Sequence, residues 1–335
     1  MSRFMDVTTD FGFKKLFGDE ANIDVTMNLL NTVLEPQPPI VALSFANPEQ
    51  LPESGDQRIG IYDLLCRDAA GNRFLVEMQK SRLAFIKDRM VYYSTFPIAV
   101  QAPKGLKRYQ YSPPPAADFI LRETAETTYG DDEDEAVMAT EWDYELKAVY
   151  CVAILGYALN GSTTAVSSNS LRNDRPPHTL FYDKLKFVTV ELSLFDSRLP
   201  EYSLDHRLNK WLYFLKHSAD FERIPDVYIN DKIFQKAFWM AELANFTPRE
   251  RQQYQISVKR TRDTYAALTT SHDLGKVEGK IEDLLLLFAQ KLGAVPDEID
   301  VAIRSVNDLD RLRTIMAHFM KINDWETLRQ YLVSI

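Results

Sequence analysis

The spacing of apolar residues predicts helices at both ends of the chain. Residues 10–34 carry apolar side chains at three- and four-residue intervals, with a break near Gly18, and residues 83–100 repeat this spacing. From residue 202 onward every periodic segment has helical spacing. The helices predicted there are residues 205–217, 231–244, 248–268, 280–292, 297–305, 308–320 and 324–332.

Strands are predicted where apolar runs are short and flanked by turn residues. Two such runs, residues 59–66 and 73–79, are separated by Arg67-Asp68-Ala69-Ala70-Gly71-Asn72, which is typical of a hairpin. Two further strands are expected at residues 148–159 and 186–194, joined by a Ser-, Thr- and Asn-rich loop at residues 161–173. The hairpin strands are apolar on both faces, as in a sheet that is covered on both sides.

The net charge of −9 is unevenly distributed along the chain. Residues 123–145 contain ten acidic residues and no Lys or Arg, whereas residues 80–108 hold seven basic residues and one acid. Local fields attract ligands of opposite charge, so the acidic total does not exclude a nucleic-acid partner. The Pro-rich and acidic segment near residues 102–141 is interpreted as an insertion.

The composition is that of a folded protein, with 45% hydrophobic and 26% charged residues. Cys66 and Cys151 lie in apolar strand-like runs and are interpreted as core residues in a reducing compartment. The longest uncharged apolar run, residues 148–159, is too short to cross a bilayer, and the N-terminal residues do not resemble a secretory signal. A cytoplasmic protein without a membrane partner is therefore expected.

Two acidic residues of the predicted hairpin form the candidate site. If the hairpin is symmetric about Ala70, Asp63 lies opposite Glu77, with Cβ atoms about 5 Å apart. Two carboxylates this close in a covered sheet repel each other and lose hydration unless a cation such as Mg²⁺ or Mn²⁺ compensates their charge. The alternative is that both acids lie in solvent at a strand end or pair with Arg and Lys.

Several motifs occur in the order found in a known family. Asp63, a hairpin and then Glu77-Met78-Gln79 resemble the D…(D/E)-x-K arrangement of the PD-(D/E)XK nuclease superfamily. The chain is more closely similar to the Rpn-type recombination-promoting nuclease and transposase family, in which Gln commonly occupies the Lys position. The other matching segments are Asp10-Phe11-Gly12-Phe13-Lys14-Lys15-Leu16-Phe17-Gly18, Arg89-Met90-Val91-Tyr92-Tyr93-Ser94 and Lys147-Ala148-Val149-Tyr150.

The resemblance implies a restriction-endonuclease-like α/β fold, with a mixed sheet flanked by helices and followed by a helical C-terminal region. It places a nuclease-like domain at residues 1–200, a helical extension and linker at 201–280, and a small helical domain at 281–335. The apolar spacing of the last domain would equally serve self-association, which leaves a homo-oligomer as one alternative.

The resemblance also assigns roles at the site. Asp63, Glu77 and the backbone carbonyl of Met78 would hold Mg²⁺ or Mn²⁺. Asp10 is a candidate outer ligand, and its alternative role is that of a helix N-cap. Gln79 can orient a water but lacks the positive charge of the motif lysine. That charge would come from Lys14 or its neighbour Lys15, or the site is slow or inactive.

DNA-binding residues are expected in the basic segment that follows the site, because Arg in particular suits bidentate contacts with phosphate. The alternative for this helix is core packing by its aromatic residues, which is the favoured interpretation for Phe85 and Phe96. The candidate DNA-binding residues are Lys80, Arg82, Lys87, Arg89 and Tyr93.

Three functions stay open at this point. The first is a metal-dependent DNA endonuclease that promotes recombination or acts like a transposase. The second is a DNA-binding or assembly protein with a degenerate site, motivated by Gln79 and by Leu194, which replaces Lys in the family's E-L-x-K-F strand end. The third is a defence or toxin nuclease held inactive by residues 123–135 as a nucleic-acid mimic, although a disordered, solvated loop is the favoured interpretation of these acids.

Overall fold

The computed structural model of the protein describes residues 2–46, 49–50, 60–102 and 144–334. The chain divides into two compact units, Met1–Tyr254 and Gln255–Ile335. The insertion predicted near residues 102–141 lies almost entirely outside the described residues, and so does the acidic stretch 123–135. Their interpretation as an insertion and as a nucleic-acid mimic therefore stays a prediction.

A mixed six-stranded sheet forms the centre of the first unit. Its strands are β1 (Leu43–Phe45), β4 (Leu64–Asp68), β5 (Arg73–Gln79), β6 (Val149–Leu155), β7 (Val166–Arg172) and β8 (Leu180–Glu191), while β2 (Glu49–Gln50) and β3 (Gly60–Ile61) form a separate pair. The order is β1-β4-β5-β6-β8-β7, with β5, β6 and β8 parallel and the remaining pairs antiparallel. The carboxyl ends of three central strands therefore meet at one edge of the sheet.

Helices flank the sheet and make up the C-terminal region. The described helices are α1 (Asp10–Phe17), α2 (Ile23–Leu34), α3 (Ile86–Ala99), α4 (Arg207–His217), α5 (Lys232–Ala241), α6 (Pro248–Leu292), α7 (Asp297–Arg304), α8 (Leu309–His318) and α9 (Trp325–Ser334). α1 ends at Gly18, where the sequence predicts a break, and the Gly18 N–H donates to the carbonyl of Lys14 at 2.8 Å. This architecture confirms the predicted fold class.

The β4–β5 hairpin has the predicted register. The paired residues are Leu64 with Val76, Leu65 with Leu75, Cys66 with Phe74 and Arg67 with Arg73. This pairing is symmetric about Ala70, so one further step along both strands sets Asp63 opposite Glu77.

Local chemistry in the turn fixes this register. Gly71 has φ +88°, a left-handed conformation that glycine adopts without steric penalty. The Asp68 carboxylate accepts hydrogen bonds from the backbone N–H and the side-chain amide of Asn72, both at 2.8 Å. These contacts close the turn and prevent the two strands from sliding past each other.

Alternation along β5 divides its side chains between two cores. Phe74, Val76 and Met78 pack into a large core with α1 and α2, whereas Leu75 packs into a second core with α3. Glu77 shares the α3 face with Leu75. The sheet is thus covered on both sides, as the apolar flanks of the hairpin predict.

Helices α4 and α5, which follow the sheet, belong to the large core. Trp211 of α4 is fully buried, with its ring centroid 5.8 Å from Phe17 of α1 and 4.5 Å from Phe234 of α5. Its indole N–H donates to the Asn28 Oδ1 at 3.0 Å. Because the apolar faces of α4 and α5 are buried against α1 and α2, this core extends past residue 200, where the sequence placed a domain boundary.

Three elements differ from the sequence-based expectation. β7 lies inside the predicted loop, because its polar side chains hide the strand periodicity and its pairing with β8 rests on the backbone. β8 ends at Glu191 and is followed by a 3₁₀ turn, Leu192–Leu194, instead of running on as a strand. Helix α6 continues through Gly275 and Gly279, where a link was expected, since neighbouring strong helix formers outweigh the weak propensity of glycine.

Cys66 on β4 and Cys151 on β6 are both buried and unbridged, as predicted. Within the described ranges, no helix combines the length and the apolar character that a membrane span requires.

Replacing Trp211 by Ala should destabilise the first unit by about 3–5 kcal/mol, because it empties the centre of the large core and removes the hydrogen bond from the indole to Asn28. Trp239→Ala is the matched control, since Trp239 lies on α5 but is 61% exposed, and its loss should cost less than about 0.5 kcal/mol. Urea unfolding followed by circular dichroism measures both. Equal, small losses for the two variants would show that α4 is not part of this core.

Candidate active site

The hairpin brings Asp63 and Glu77 to the edge where the parallel strands end. Asp63 directly precedes β4, and Glu77 lies near the end of β5. The Asp63 Oδ2 accepts a hydrogen bond from the backbone N–H of Met78 at 2.8 Å. Because a strand residue directs its N–H and its carbonyl toward the same neighbouring strand, the Met78 carbonyl also lies on the Asp63 side of β5. The three candidate metal ligands are therefore neighbours.

Glu77 is buried without a full set of hydrogen bonds. Its side chain is 9% exposed, and its Oε2 lies 3.4 Å from the Nη2 of Arg89. Its Oε1 has no hydrogen-bond partner among the described residues. Burial, followed by the charge of Asp63, raises the pKa of Glu77 to about 7 against the opposing effect of Arg89. A buried carboxylate in this condition is stabilised by a further cation.

Lys14 connects two acidic residues at the site. Its Nζ lies 2.6 Å from the Oδ1 of Asp10 and 3.6 Å from the Oδ1 of Asp63. Burial opposes the charge of this ammonium group, but the hydrogen bond and the charge of Asp10, together with Asp63, raise its pKa above the ordinary value. Lys14 therefore remains positively charged beside Asp63 at neutral pH.

The Asp63 carboxylate is stabilised only in part by its neighbours. Burial raises its pKa above the ordinary value, while the hydrogen bond from Met78 and the charge of Lys14 act in the opposite direction. With Glu77 beside it, the site holds two carboxylates that both resist ionisation. Repulsion and lost hydration thus act on the same pair of residues.

Asp10 reaches the site through Lys14 and is not the N-cap of α1. The Thr9 hydroxyl caps the helix by accepting from the backbone N–H of Gly12 at 3.2 Å, so the capping role considered for Asp10 is wrong. In the part of the chain that the structure describes, no group of three or more His, Cys, Asp or Glu side chains is placed to hold a metal ion. Asp10 therefore does not form a three-carboxylate cluster with Asp63 and Glu77.

Helix α3 presents Arg89 and Tyr93 to Glu77. The guanidinium carbon of Arg89 lies 4.8 Å from the ring centroid of Tyr93, and the buried Nε of Arg89 has no partner within the described ranges. Phe96 packs against the second core, as predicted. Phe85 is 79% exposed, so its predicted core role is wrong; its left-handed backbone at φ 59° places it outside the first turn of α3.

The other candidate DNA-binding residues have different surroundings. Lys80 forms an ion pair with Asp6, and the Nη2 of Arg82 donates to the Oδ1 of Asn160 at 2.6 Å. Lys87 is exposed on α3 and forms no ion pair with a described residue. Of these three side chains, only Lys87 keeps its charge and its hydrogen-bond donors free of such contacts.

Gln79 ends β5 at the position where the superfamily motif has Lys. Its side chain favours the charged form of Glu77, and its backbone carbonyl accepts from the N–H of Gly156 at 2.9 Å. A Cβ atom at Gly156 would lie 2.5 Å from the carbonyl oxygen of Lys80, so glycine is required for this close approach. The end of β5 is therefore fixed against the segment that follows β6.

Glu191 is a second buried carboxylate, to which the sequence analysis assigns no role. Its oxygens accept hydrogen bonds from the backbone N–H of Leu159 at 2.7 Å, the Ser162 hydroxyl at 2.9 Å and the Thr189 hydroxyl at 3.2 Å. Glu191 thus holds the segment after β6 in place at the same edge as Glu77. Its position in an E-L-x-K-F-like motif could have marked Glu191 as a candidate residue, but no local sequence pattern predicts its three hydrogen-bond partners.

Comparison with models of known families identifies the family of this chain. The model of a family described as PD-(D/E)XK nuclease family transposase matches residues 7–114 and 133–271, which is most of the chain. The chain belongs to this family. The unmatched residues 115–132 lie inside the Pro-rich and acidic segment near residues 102–141, and the match to the PD-(D/E)XK family continues through α4 and α5 into α6. A search of curated proteins and a search of solved structures found no match.

The buried charge of Glu77 should make the stability of this PD-(D/E)XK unit fall with rising pH. The folded-state pKa of about 7 exceeds the ordinary value of 4.5, so the proton binds more tightly to the folded state, and the cost of ionisation appears as the pH rises from 4.5 through 7. In EDTA, Glu77→Gln should therefore match the parent near pH 4.5 and exceed its stability at pH 8.5 by roughly 2–3 kcal/mol. Urea unfolding at the two pH values measures the difference.

Glu191→Gln is the matched control, because this carboxylate is fully buried but hydrogen-bonded. It should lower stability by about 1–3 kcal/mol at both pH values, since one amide group cannot accept all the hydrogen bonds that the carboxylate accepts. If Glu77→Gln increases the unfolding stability by the same amount at both pH values, the raised pKa of Glu77 is contradicted.

Proposed function

We propose that the protein is a metal-dependent DNA endonuclease of the recombination-promoting or transposase-like kind, with Asp63 and Glu77 at its active site. The observation that carries this proposal is the buried Oε1 of Glu77 beside Asp63, which has no hydrogen-bond partner among the described residues and lies at the edge of a mixed sheet. Membership of a nuclease and transposase family makes DNA the expected substrate.

The residues present fit a divalent cation. Two carboxylates and the Met78 carbonyl are hard oxygen donors of the kind that Mg²⁺ and Mn²⁺ prefer. A positive charge held by Asp63 and Glu77 would lower the cost of burying both carboxylates. When bound, such an ion supplies activation of a water and stabilisation of charge on a phosphodiester.

Lys14 would replace the lysine that the motif lacks. Its Nζ lies 3.6 Å from Asp63, and its raised pKa keeps it protonated, so it can stabilise negative charge on a phosphate but cannot act as a base. Lys15, the other candidate, is engaged elsewhere, with its Nζ 2.5 Å from the Oε1 of Glu250. Gln79 would orient a water or a phosphate oxygen by hydrogen bonds.

The DNA strand would cross the α3 face beside the site. Arg89 contacts Glu77 at 3.4 Å and would turn part of its fork to a phosphate when a metal ion takes over the charge of that carboxylate. Tyr93 stacks on Arg89 and would add a hydroxyl contact. Lys87 offers a further phosphate contact on the same helix, while Lys80 and Arg82 would first have to leave their partners.

A second candidate function is DNA binding without cleavage. Gln79 in place of Lys favours it, as does the lack of a third carboxylate beside Asp63 and Glu77 in the described part of the chain. Under this alternative DNA binding would be salt-sensitive, and no cleavage would appear with Mg²⁺ or Mn²⁺.

Titration of Mg²⁺ and Mn²⁺ with supercoiled plasmid tests the first proposal. Asp63→Asn and Glu77→Gln should each lower cleavage by about 100-fold or more, because each removes a charge that holds the metal ion. Addition of Mn²⁺ at pH 8 should raise the unfolding midpoint of the parent protein and leave that of Glu77→Gln nearly unchanged. Equal cleavage by the parent and both variants would rule out this active site.

The role of Lys14 has its own test. Lys14→Met should lower plasmid cleavage by about 100-fold, through loss of one charge at the phosphate, whereas Lys15→Met on the same helix turn should retain activity. The double variant Lys14→Met/Gln79→Lys should regain part of the loss, since it moves the charge to the motif position on β5. Equal activities of Lys14→Met and Lys15→Met would show that Lys14 does not replace the lysine of the motif.

A further inference from the structure

A pocket beside the candidate active site has no role in the cleavage step described above. Its volume is about 420 Å³, within the range of small-molecule sites, and it lies between the start of α3 and the strands β7 and β8. Its walls carry three kinds of side chain. They are the apolar Phe187, Met90 and Leu159, a set of hydroxyl and amide groups, and Lys87.

The pocket lies on the same sheet face as Glu77. Glu77 pairs with Ala153, Ala153 pairs with Thr189, and Thr189 pairs with Ser167, so these side chains form one row across β5, β6, β8 and β7. Two strand spacings, or roughly 10 Å, separate Glu77 from Thr189 at the pocket wall. The two sites also share α3, because Lys87, Met90 and Val91 line the pocket while Arg89 contacts Glu77.

Four hydroxyl groups of the pocket, those of Ser162, Thr164, Ser167 and Thr189, present acceptors to a ligand. The Ser162 and Thr189 hydroxyls both donate to the Glu191 carboxylate. The Thr164 hydroxyl donates to the Val166 carbonyl and is bonded to the Ser167 hydroxyl at 3.2 Å, which leaves Ser167 as the donor in that pair. A hydroxyl whose hydrogen is committed to the protein offers only lone pairs to a ligand.

This chemistry selects the class of ligand. Where these four hydroxyls line the pocket, they disfavour a phosphate, because phosphate oxygens are themselves acceptors, and a purely apolar ligand would supply no donor to their lone pairs. A nucleobase with an exocyclic amine has both an aromatic face for Phe187 and donors for the hydroxyl groups. Lys87, which is exposed and forms no ion pair with a described residue, suits the phosphate of the same nucleotide.

We propose that this pocket, which we call the β7–β8 pocket, receives one unpaired nucleotide of the DNA substrate, with a base that carries an exocyclic amine, next to the scissile phosphate. The inference rests on the proposed DNA substrate but not on cleavage. It gives the protein a preference for DNA with a bulged or single-stranded base, because a base inside a duplex would first have to leave the stack.

The test uses a large side chain that fills the pocket. Ser167→Trp places an indole in the β7–β8 pocket, and Ser168→Trp places the same ring on the opposite face of β7, because alternate residues of a strand face opposite sides. Both substitutions are combined with Glu77→Gln, so that binding is measured without cleavage. Fluorescence anisotropy compares a duplex, the same duplex with a bulged adenine, and one with a bulged thymine.

The Ser168→Trp protein should bind the DNA with a bulged adenine about tenfold tighter than the duplex, and should bind the DNA with a bulged thymine with intermediate affinity. The Ser167→Trp protein should bind all three DNAs with the same affinity. Equal preferences in the two variants, or equal binding of adenine and thymine bulges, would overturn the proposal. Thermal unfolding checks that both proteins fold; if Ser167→Trp does not, Thr163→Trp on the exposed rim takes its place. If the protein prefers bulged DNA but the parent does not cleave plasmid, the endonuclease function is rejected and the nucleotide-binding role of the pocket stands. If the parent cleaves plasmid but shows no preference for bulged DNA, the role of the pocket is rejected and the endonuclease function stands.

Discussion

The burial of Glu77 beside Asp63 is the constraint on which the functional interpretation depends. A sheet that is covered on both faces removes water from the pair, and the β4–β5 register prevents the two carboxylates from moving apart. Lys14 and Arg89 each supply one positive charge, yet one oxygen of Glu77 stays unpaired among the described residues. Such a site is costly in the folded protein, and a bound cation is the simplest way to lower that cost.

The parallel strands explain why several polar groups converge on one edge. β5, β6 and β8 end together, so that Glu77, the turn after β6 and Glu191 lie in neighbouring positions. The two buried glutamates have opposite roles because their partners differ. Glu191 receives three hydrogen bonds and stabilises the turn, whereas one oxygen of Glu77 has no hydrogen-bond partner in the described part of the chain. An unsatisfied group in an otherwise well-bonded region is the stronger indication of function.

The position of Lys14 supports the proposal that it compensates for the lysine missing from the motif. Its ammonium group approaches Asp63 from α1, whereas the family pattern expects a lysine on β5. The basic segment illustrates the reverse case. Lys80 and Arg82 have partners of their own, so the sequence overstates the charge available to DNA, and Lys87 is the clearest exception.

The sequence by itself determined the hairpin register and the pairing of Asp63 with Glu77, because strand alternation and turn chemistry act over a few neighbouring residues. It also determined the helix break at Gly18 and the unbridged cysteines. Only the tertiary structure decided that β7 is a strand and that Lys14, not Lys15, faces Asp63. These outcomes depend on contacts between segments far apart in the chain, which no local pattern of polar and apolar residues encodes.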